Sequence, residues 1–360
     1  MLLVGRTSQP SYRPSIDWSD LGNKDLAPPA QKQSFTSHDG RYSIVLTSEW
    51  HRDEARQSPL LPFVLESPHA AVAIGELAMG DLKEPSTNAV VAALRDLQPW
   101  LLRATMTQTS DASPFAFEFN GLVEGEPHTA FLSIAKQPNA FFYVLSTEPT
   151  PNLSQSSTRR SFHRDLASLV LRNSDAPECP PTNASESVSW KGLGWNMPTF
   201  WRELPLDGAD KGEKKGLKSV RDDLVYTSDV ATLEVLMMSP QPASSDNPFL
   251  QSVAKLSGKN PIGTGKIETI KRPKGSVPFI AYRDVQVGVN YDVRTAILRE
   301  GTNAFALSLR ALHSRKDCSW PLIERIAKEA TFGTVAKPSK KKVLIDHGGP
   351  QPPSDPELEE

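Results

Sequence analysis

The chain has 360 residues, a formal net charge of −2 at pH 7 and 23% charged residues. This near-neutral balance excludes a general binder of nucleic acid or of membrane surfaces, because such proteins present a sustained basic field. No apolar stretch reaches the roughly 18–20 residues of a membrane span, and the apolar run at the N-terminus is far shorter than a signal peptide needs. We expect two domains of ordinary size in a cytoplasmic protein without a transmembrane segment.

Residues 1–32 mix Pro, Ser, Asp and Asn with few periodic apolar residues, which is typical of an extended leader. Trp18 and Leu21 are the exceptions within this segment. They either fold back onto a domain or form a short motif that binds a partner.

Residues 33–172 are predicted to form the first folded unit. The strand-like stretches GRYSIVLTS, FVLES and AAVAIGELAM open it. A helix is predicted over residues 88–106, after Ser86, and Pro99 kinks or divides it because proline cannot donate the helical hydrogen bond. FAFEFNGLVEG, HTAFLSIAK and NAFFYVLST then predict an antiparallel meander of three strands. The segment 156–173 has the apolar spacing of a closing helix.

The second unit, residues 187–334, follows the same order of strands and helices and ends with the predicted helix SWPLIERIAKEA. Between the two units, residues 173–186 are rich in Pro, Ser and Asn, the composition of a linker. After the second unit, residues 335–360 combine a basic cluster with an acidic, Pro-rich end, which predicts a disordered charged tail.

Two matched landmarks identify the units as a tandem repeat. YSIVLTSEW (42–50) corresponds to LGWNMPTFW (193–201), and PNAFFYVLST (138–147) corresponds to TNAFALSLRA (302–311), in the same order. The predicted fold class is therefore α+β, with two tandem repeats that each form an antiparallel sheet covered by helices. Such an α/β/α sandwich differs from a doubly wound nucleotide-binding fold.

The pattern resembles the PsbP-like sandwich family, which includes DcrB-like proteins and the Eag chaperones of type VI secretion. The resemblance rests on DGRYSIVLTSEW (39–50) with FFYVLST (141–147), and on GLGWNMPTFW (192–201) with FALSLRA (305–311). It covers most of both repeats but neither the leader nor the tail. It implies a PsbP-like α/β/α sandwich and a non-catalytic protein that docks on larger assemblies or shields apolar segments of clients.

The tryptophans fall into two groups. Trp50 and Trp201 occupy equivalent positions after an apolar strand, which favours a shared structural role in packing over ligand stacking. Trp100, Trp190 and Trp195 have no counterpart in the other repeat, which makes them candidates for partner contact.

No local motif for catalysis or for cofactor binding accompanies the repeat. The stretch GKNPIGTGKIE departs from a phosphate loop at Asn260 and Ile267, and the histidines lack metal-ligand spacing. Cys179 and Cys318 are expected to be unpaired thiols, with a bridge between them as the alternative. We therefore expect no enzyme activity, no catalytic residue, no cofactor and no metal site.

These observations predict a non-catalytic protein-binding module that acts as an adaptor, assembly factor or chaperone for a protein client. Two sandwiches side by side offer two grooves or one composite surface for that client. The alternative is a small-ligand binder or an enzyme with a pocket at the interface of the two repeats, where clefts commonly form. The sequence does not identify the partner or the oligomeric state.

Overall fold

The computed structural model describes residues 32–333, apart from 48, 55, 69, 98, 109–116, 151–169, 172–178, 181–183, 205–222, 239–246, 258–261, 263–265, 274 and 302. The predicted leader up to residue 31, the tail and most of the closing helix of the first unit lie outside the described residues. Val170 and Leu171 of that predicted helix form a strand instead, paired with residues 42 and 43.

Strands dominate the first half of the chain. In chain order it forms β1 (Lys32–Thr36), β2 (Tyr42–Thr47), β3 (His51–Arg52), β4 (Phe63–Glu66), β5 (Ala71–Ala78), α1 (Thr87–Leu97), α2 (Pro99–Arg103), β6 (Thr105–Gln108), β7 (Phe117–Val123), β8 (Glu126–Lys136), β9 (Ala140–Pro149) and β10 (Val170–Leu171). A 3-10 turn, Met79–Asp81, follows β5. Seven strands form an antiparallel sheet in the order β3-β4-β5-β9-β8-β7-β6.

The second half repeats this arrangement. In chain order it forms β11 (Ser185–Trp190), β12 (Leu193–Pro198), β13 (Arg202–Glu203), β14 (Asp223–Thr227), β15 (Ala231–Met238), α3 (Pro248–Ser257), β16 (Glu268–Arg272), β17 (Gly275–Gln286), β18 (Val289–Glu300), β19 (Asn303–Leu312), α4 (Lys316–Glu329) and β20 (Thr331–Phe332). A 3-10 turn, His313–Arg315, precedes α4. The second large sheet has the order β13-β14-β15-β19-β18-β17-β16.

The two large sheets have the same strand order, which fits a two-repeat architecture. The matched sequence segments also lie at corresponding places. Phe141 of β9 pairs with Leu77 of β5, and Phe305 of β19 pairs with Met237 of β15. The predicted antiparallel meander is confirmed as β7-β8-β9.

The fold is richer in sheet than the sequence predicted. The predicted strands around Ile44 and Trp195 become β2 and β12, which do not join the large sheets. They form three-stranded sheets in the orders β1-β2-β10 and β11-β12-β20. Tyr42, Ile44 and Leu46 of β2 are buried against one face of the first large sheet. A small sheet therefore lies on a large-sheet face that was expected to be covered by helices, which corrects the helix-covered sandwich.

The described helices begin close to where the sequence places them. The hydroxyl of Ser86 accepts the N–H of Ala89 at 3.2 Å before the first full turn of α1. The side-chain oxygen of Asn247 accepts the N–H of Phe249 at 2.9 Å, which caps α3. The predicted division at Pro99 is confirmed, since α1 ends before it and α2 begins with it.

Cys179 and Cys318 form a disulfide with their Cα atoms 5.1 Å apart, so the expectation of unpaired thiols is wrong. The bond ties the linker to α4, across 139 residues of sequence. No local spacing signals such a bond, because only the fold brings the two cysteines together. Disulfides persist mainly in oxidising compartments, so this one argues against the expected cytoplasmic location.

No helix among the described residues is long and apolar enough to cross a membrane.

Candidate functional site

The two repeats meet through an apolar cluster to which both contribute. Val289, Tyr291 and Val293 of β18 and Leu312 of β19 are buried in the same cluster as Leu82 of the first repeat. Helices α1 and α2 contribute to it from the first repeat as well. The helix side of the first large sheet and one end of the second large sheet therefore share a core.

Hydrogen bonds cross this junction at the hairpin between β17 and β18. The N–H of Lys83 donates to the carbonyl of Gly288 at 2.7 Å, and the amide of Asn290 donates to the carbonyl of Gly80 at 3.0 Å. Gly288 has a φ of 76°, in the left-handed region that favours glycine in a two-residue turn. The turn thereby presents its carbonyl to the first repeat.

Asp81 anchors the second repeat to the first. Its carboxylate accepts the backbone N–H of Ser314 at 2.8 Å, the hydroxyl of Ser314 at 2.6 Å and the N–H of Ala78 at 3.0 Å. Burial raises the pKa of Asp81, although these hydrogen bonds favour the charged form. The carboxylate therefore holds the 3-10 turn before α4 in place.

Asp292 and His313 form an acid–imidazole pair beside Asp81. Oδ2 of the buried Asp292 lies 2.8 Å from Nδ1 of His313, and Arg283 and Lys316 also approach this carboxylate. The hydroxyl of Ser314, the next residue after His313, donates to Asp81 instead of to the imidazole. The pair thus resembles part of a hydrolytic triad, but its neighbouring hydroxyl is engaged in the junction.

A second polar network spans the junction farther from the apolar cluster. Asp39, between β1 and β2, pairs with Arg315 at 2.8 Å. Glu54, after β3, pairs with Arg202 of β13 and lies 3.6 Å from the ring of His38. Burial on its own would raise the pKa of Asp39, but the Arg315 guanidinium and nearby hydrogen bonds hold that pKa below its usual value.

Asp229, in the turn between β14 and β15, is an incompletely hydrogen-bonded carboxylate beside this network. It is 3% exposed, and burial raises its pKa to about 6 although Arg315 and Arg52 lower it. Its Oδ1 is buried without a hydrogen-bond partner, as are Nε and Nη2 of Arg52 and Nδ1 of His38. Burying polar atoms without partners costs free energy, so these groups reduce the stability of this part of the junction.

The described residues contain no group of three or more His, Cys, Asp or Glu side chains that could hold a metal ion. A cavity of about 550 Å³ is lined by Ser187, Ser189, Asn196, Thr331 and other residues around Gly194. This cavity lies at the small sheet of the second repeat. The alternative prediction, a small-ligand or enzyme pocket, was placed at the interface of the two repeats instead.

The structure places the five predicted tryptophans in different environments. Trp50 and Trp201 are buried where a small sheet meets a large one. Trp100 and Trp195 are also buried, and their role in partner contact stays a prediction. Trp190 is half-buried, with its ring against Phe305 and under the Lys191 ammonium.

The first large sheet has an outer strand without charged residues, β6. Within the described part of the chain, β6 pairs only with β7, and all of its residues are exposed. Met106 pairs with Phe119, whose ring lies in the helix-side core, so Met106 lies on the face that carries α2. Leu102 of α2 is 44% exposed and Met106 is 42% exposed. We call Leu102, Met106 and the outer edge of β6 the β6 edge.

Buried contacts hold the β6 edge in position. Arg95 donates to the carbonyls of Leu101 and Leu102 at 3.1 Å, which fixes α2 against α1. Gly121 of β7 lies against Trp100, because a Cβ at this glycine would come within 3.1 Å of the indole. The buried Trp100 therefore packs α2 against β7, the strand next to β6.

The corresponding edge of the second repeat is protected. β16 carries Glu268, Lys271 and Arg272, and charged side chains discourage pairing with another strand. Arg272 also donates to the carbonyl of Ala330 at 2.7 Å, next to α4. The sequence TMTQ of β6 has no charge, so of these two corresponding outer strands β6 is the one without charged side chains.

Comparison with known proteins finds similarity only at the level of solved structures. No protein-family model matches the chain, and no curated protein matches it. Cyanobacterial PsbP from Synechocystis sp. PCC 6803 is 15% identical, with 42% of this chain and 92% of that one covered and a TM-score of 0.28. The Ran-binding protein Mog1p of Saccharomyces cerevisiae is 10% identical, with coverages of 41% and 95% and a TM-score of 0.28.

The immunity protein TplEi of the type VI secretion system of Pseudomonas aeruginosa is 12% identical, with 84% of this chain and 97% of that one covered and a TM-score of 0.22. Similarity at this level assigns neither a family nor a function to this chain.

Proposed function

We propose that this protein is a non-catalytic protein-binding module that captures an extended segment of a protein client at the β6 edge, as an adaptor, assembly factor or chaperone. The observation that carries the proposal is the uncharged, exposed strand β6, with the exposed side chain of Met106 on it and that of Leu102 nearby on α2.

An extended client segment fits this edge by strand addition. In an antiparallel sheet, alternate residues of an edge strand direct their N–H and C=O groups outward, where another strand pairs with them. A client residue on the helix-side face of the sheet then contacts Leu102 and Met106, so that residue should be apolar. Backbone hydrogen bonds between β6 and the client strand provide binding affinity. The contact of an apolar client residue with Leu102 and Met106 fixes the register of the client strand and selects its sequence.

A site-specific crosslink identifies the client segment. The full-length protein with p-benzoylphenylalanine in place of Met106 is irradiated in native lysate, and mass spectrometry maps the crosslinked segment. A synthetic peptide of that segment should bind the wild-type protein and slow amide hydrogen exchange in Thr105–Gln108. Peptides N-methylated at one set of alternate residues should lose binding, whereas methylation of the other set should be tolerated, because only one set faces the edge.

The variant Met106→Lys should weaken binding of this peptide by roughly tenfold or more, since it places a charge where an apolar contact is lost. Thr269→Lys, on exposed strand β16 of the second repeat, is the matched control and should bind as the wild type does. Equal loss in both variants, or a bound peptide that leaves exchange in β6 unchanged, would show that the β6 edge is not the site.

A further inference from the structure

The turn between β14 and β15 carries a buried carboxylate into the junction of the repeats. The turn is closed locally, with the N–H of Ser228 donating to the carbonyl of Ala231 at 2.9 Å and the N–H of Val230 donating to the hydroxyl of Ser228 at 3.2 Å. Asp229 lies between these bonds, with 3% of its surface exposed. The fixed backbone leaves the side chain little freedom to escape to solvent.

The charged groups around Asp229 come from both repeats. The first repeat supplies Asp39 from the turn before β2 and Arg52 from β3, and the second supplies Arg315 from the 3-10 turn before α4. His38 and the Glu54–Arg202 pair border the same network. Hydrogen bonding within this network is incomplete, since Oδ1 of Asp229 and two guanidinium nitrogens of Arg52 are buried without partners.

We propose that this network is an acid-tightened latch, in which protonation of Asp229 strengthens the docking of the two repeats and its ionisation loosens it. The physical reason is that docking buries Asp229 beside Asp39, another carboxylate, while the pairing with guanidinium groups stays incomplete. The inference is independent of the β6 edge.

The sign follows from proton linkage. The pKa of Asp229 is about 6 in the docked protein against an ordinary value of 3.8, so the docked state binds this proton more tightly. The stabilisation of docking that this proton provides is fully present below pH 3.8 and is lost as pH rises through about 6. Burial raises the pKa of Asp81 as well, and this group acts in the same direction.

The titrations of His38 and Asp39 weaken docking on acidification and so oppose that of Asp229. Burial and the Arg52 charge lower the pKa of His38, so its protonation on acidification opposes docking. The pKa of Asp39 is also lowered, so its contribution to docking is present above 3.8 and is lost only in stronger acid. A variant at position 229 is therefore needed to isolate the latch.

The amide of Lys83 reports docking, because it donates to Gly288 across the junction. Its hydrogen-exchange protection, corrected for intrinsic exchange, is measured in the full-length protein at pH 5.0 and pH 7.5. We compare the ratio of the protection factor in the wild type to that in Asp229→Asn at the two pH values. This ratio should be about tenfold larger at pH 5.0 than at pH 7.5, because the variant lacks the titrating proton. Asp223→Asn, which removes a carboxyl at the start of β14, is the matched control and should titrate as the wild type does.

His38→Asn provides a second variant that does not alter Asp229. It removes the opposing titration, so the increase in protection on acidification should be larger than in the wild type. The same pH dependence in wild type and Asp229→Asn would overturn the proposal. A smaller acid response in His38→Asn than in the wild type would overturn it too.

Discussion

At the scale of single residues, burial decides what Trp50 and Trp201 do. Both lie between a small sheet and a large sheet, so replacement by Ala would remove a large buried ring and leave a cavity. We expect each variant to lose about 3–5 kcal/mol in free energy of unfolding, measured by urea denaturation. Trp190→Ala should lose less, because its ring is only half-buried. Wild-type stability of Trp201→Ala would contradict the packing role.

Gly75 of β5 is a second residue whose role only the structure shows. A Cβ at this position would overlap the buried ring of Tyr143 and approach Cδ of Pro62 to 3.0 Å. Gly75→Ala should therefore destabilise the protein by about 1–3 kcal/mol through overpacking, measured by thermal or urea denaturation. Gly333→Ala is the control, since nothing lies within 4 Å of a Cβ there. Equal stability of the two variants would refute the proposed clash.

At the scale of elements, the disulfide fixes the linker to α4. A bridge across 139 residues limits the unfolded chain, and its loss should lower the free energy of unfolding by about 2–5 kcal/mol. Cys179→Ser and Cys318→Ser should be equally destabilised, and a reducing agent should bring the wild type to their level. A melting temperature of the wild type that does not respond to reduction would count against a bridge in solution.

Sequence periodicity predicts most strands and helices, but it does not predict which sheet a strand joins. In β2, the alternation of buried Tyr42, Ile44 and Leu46 with more exposed neighbours identifies a strand with one buried face. The same pattern suits an edge of a large sheet and a separate small sheet equally well. β1, Lys32–Thr36, is largely exposed and was not predicted, because it lacks an apolar stripe.

The candidate site was harder to predict than the fold. The predicted helix ran over residues 88–106, but it ends at Arg103, and residues 105–108, TMTQ, form the exposed strand β6. Their lack of charge was visible, and so was the charge of ETIKR in the second repeat. This difference in charge indicates an unprotected edge only when both segments are known to be outer strands of their sheets. The sequence also did not show that Trp100 and Trp195 are buried, because a missing counterpart in the other repeat does not report burial.

At the scale of the whole molecule, the repeats are joined more closely than a linker implies. Two domains with separate cores were expected, yet residues of β18 and β19 are buried in the cluster of the first repeat. The backbone bridge between Leu82 and Val289 and the polar anchor at Asp81 also join the repeats, as does the separate Asp39–Arg315 pair. The β6 edge therefore belongs to a sheet whose helix-side core is shared with the second repeat.

This arrangement predicts that the halves remain associated after the chain is cut. A protease site introduced between residues 174 and 175 leaves the Cys179–Cys318 bond within the second fragment. The cut protein should elute in size-exclusion chromatography as the intact 39.5 kDa chain does, because the shared apolar cluster holds the fragments together. Val289→Asp should separate them, since it buries an unpaired charge in that cluster. Val285→Asp, on the same hairpin but 36% exposed, should leave them associated. Separation of the cut fragments without any substitution would mean that the linker alone keeps the repeats together.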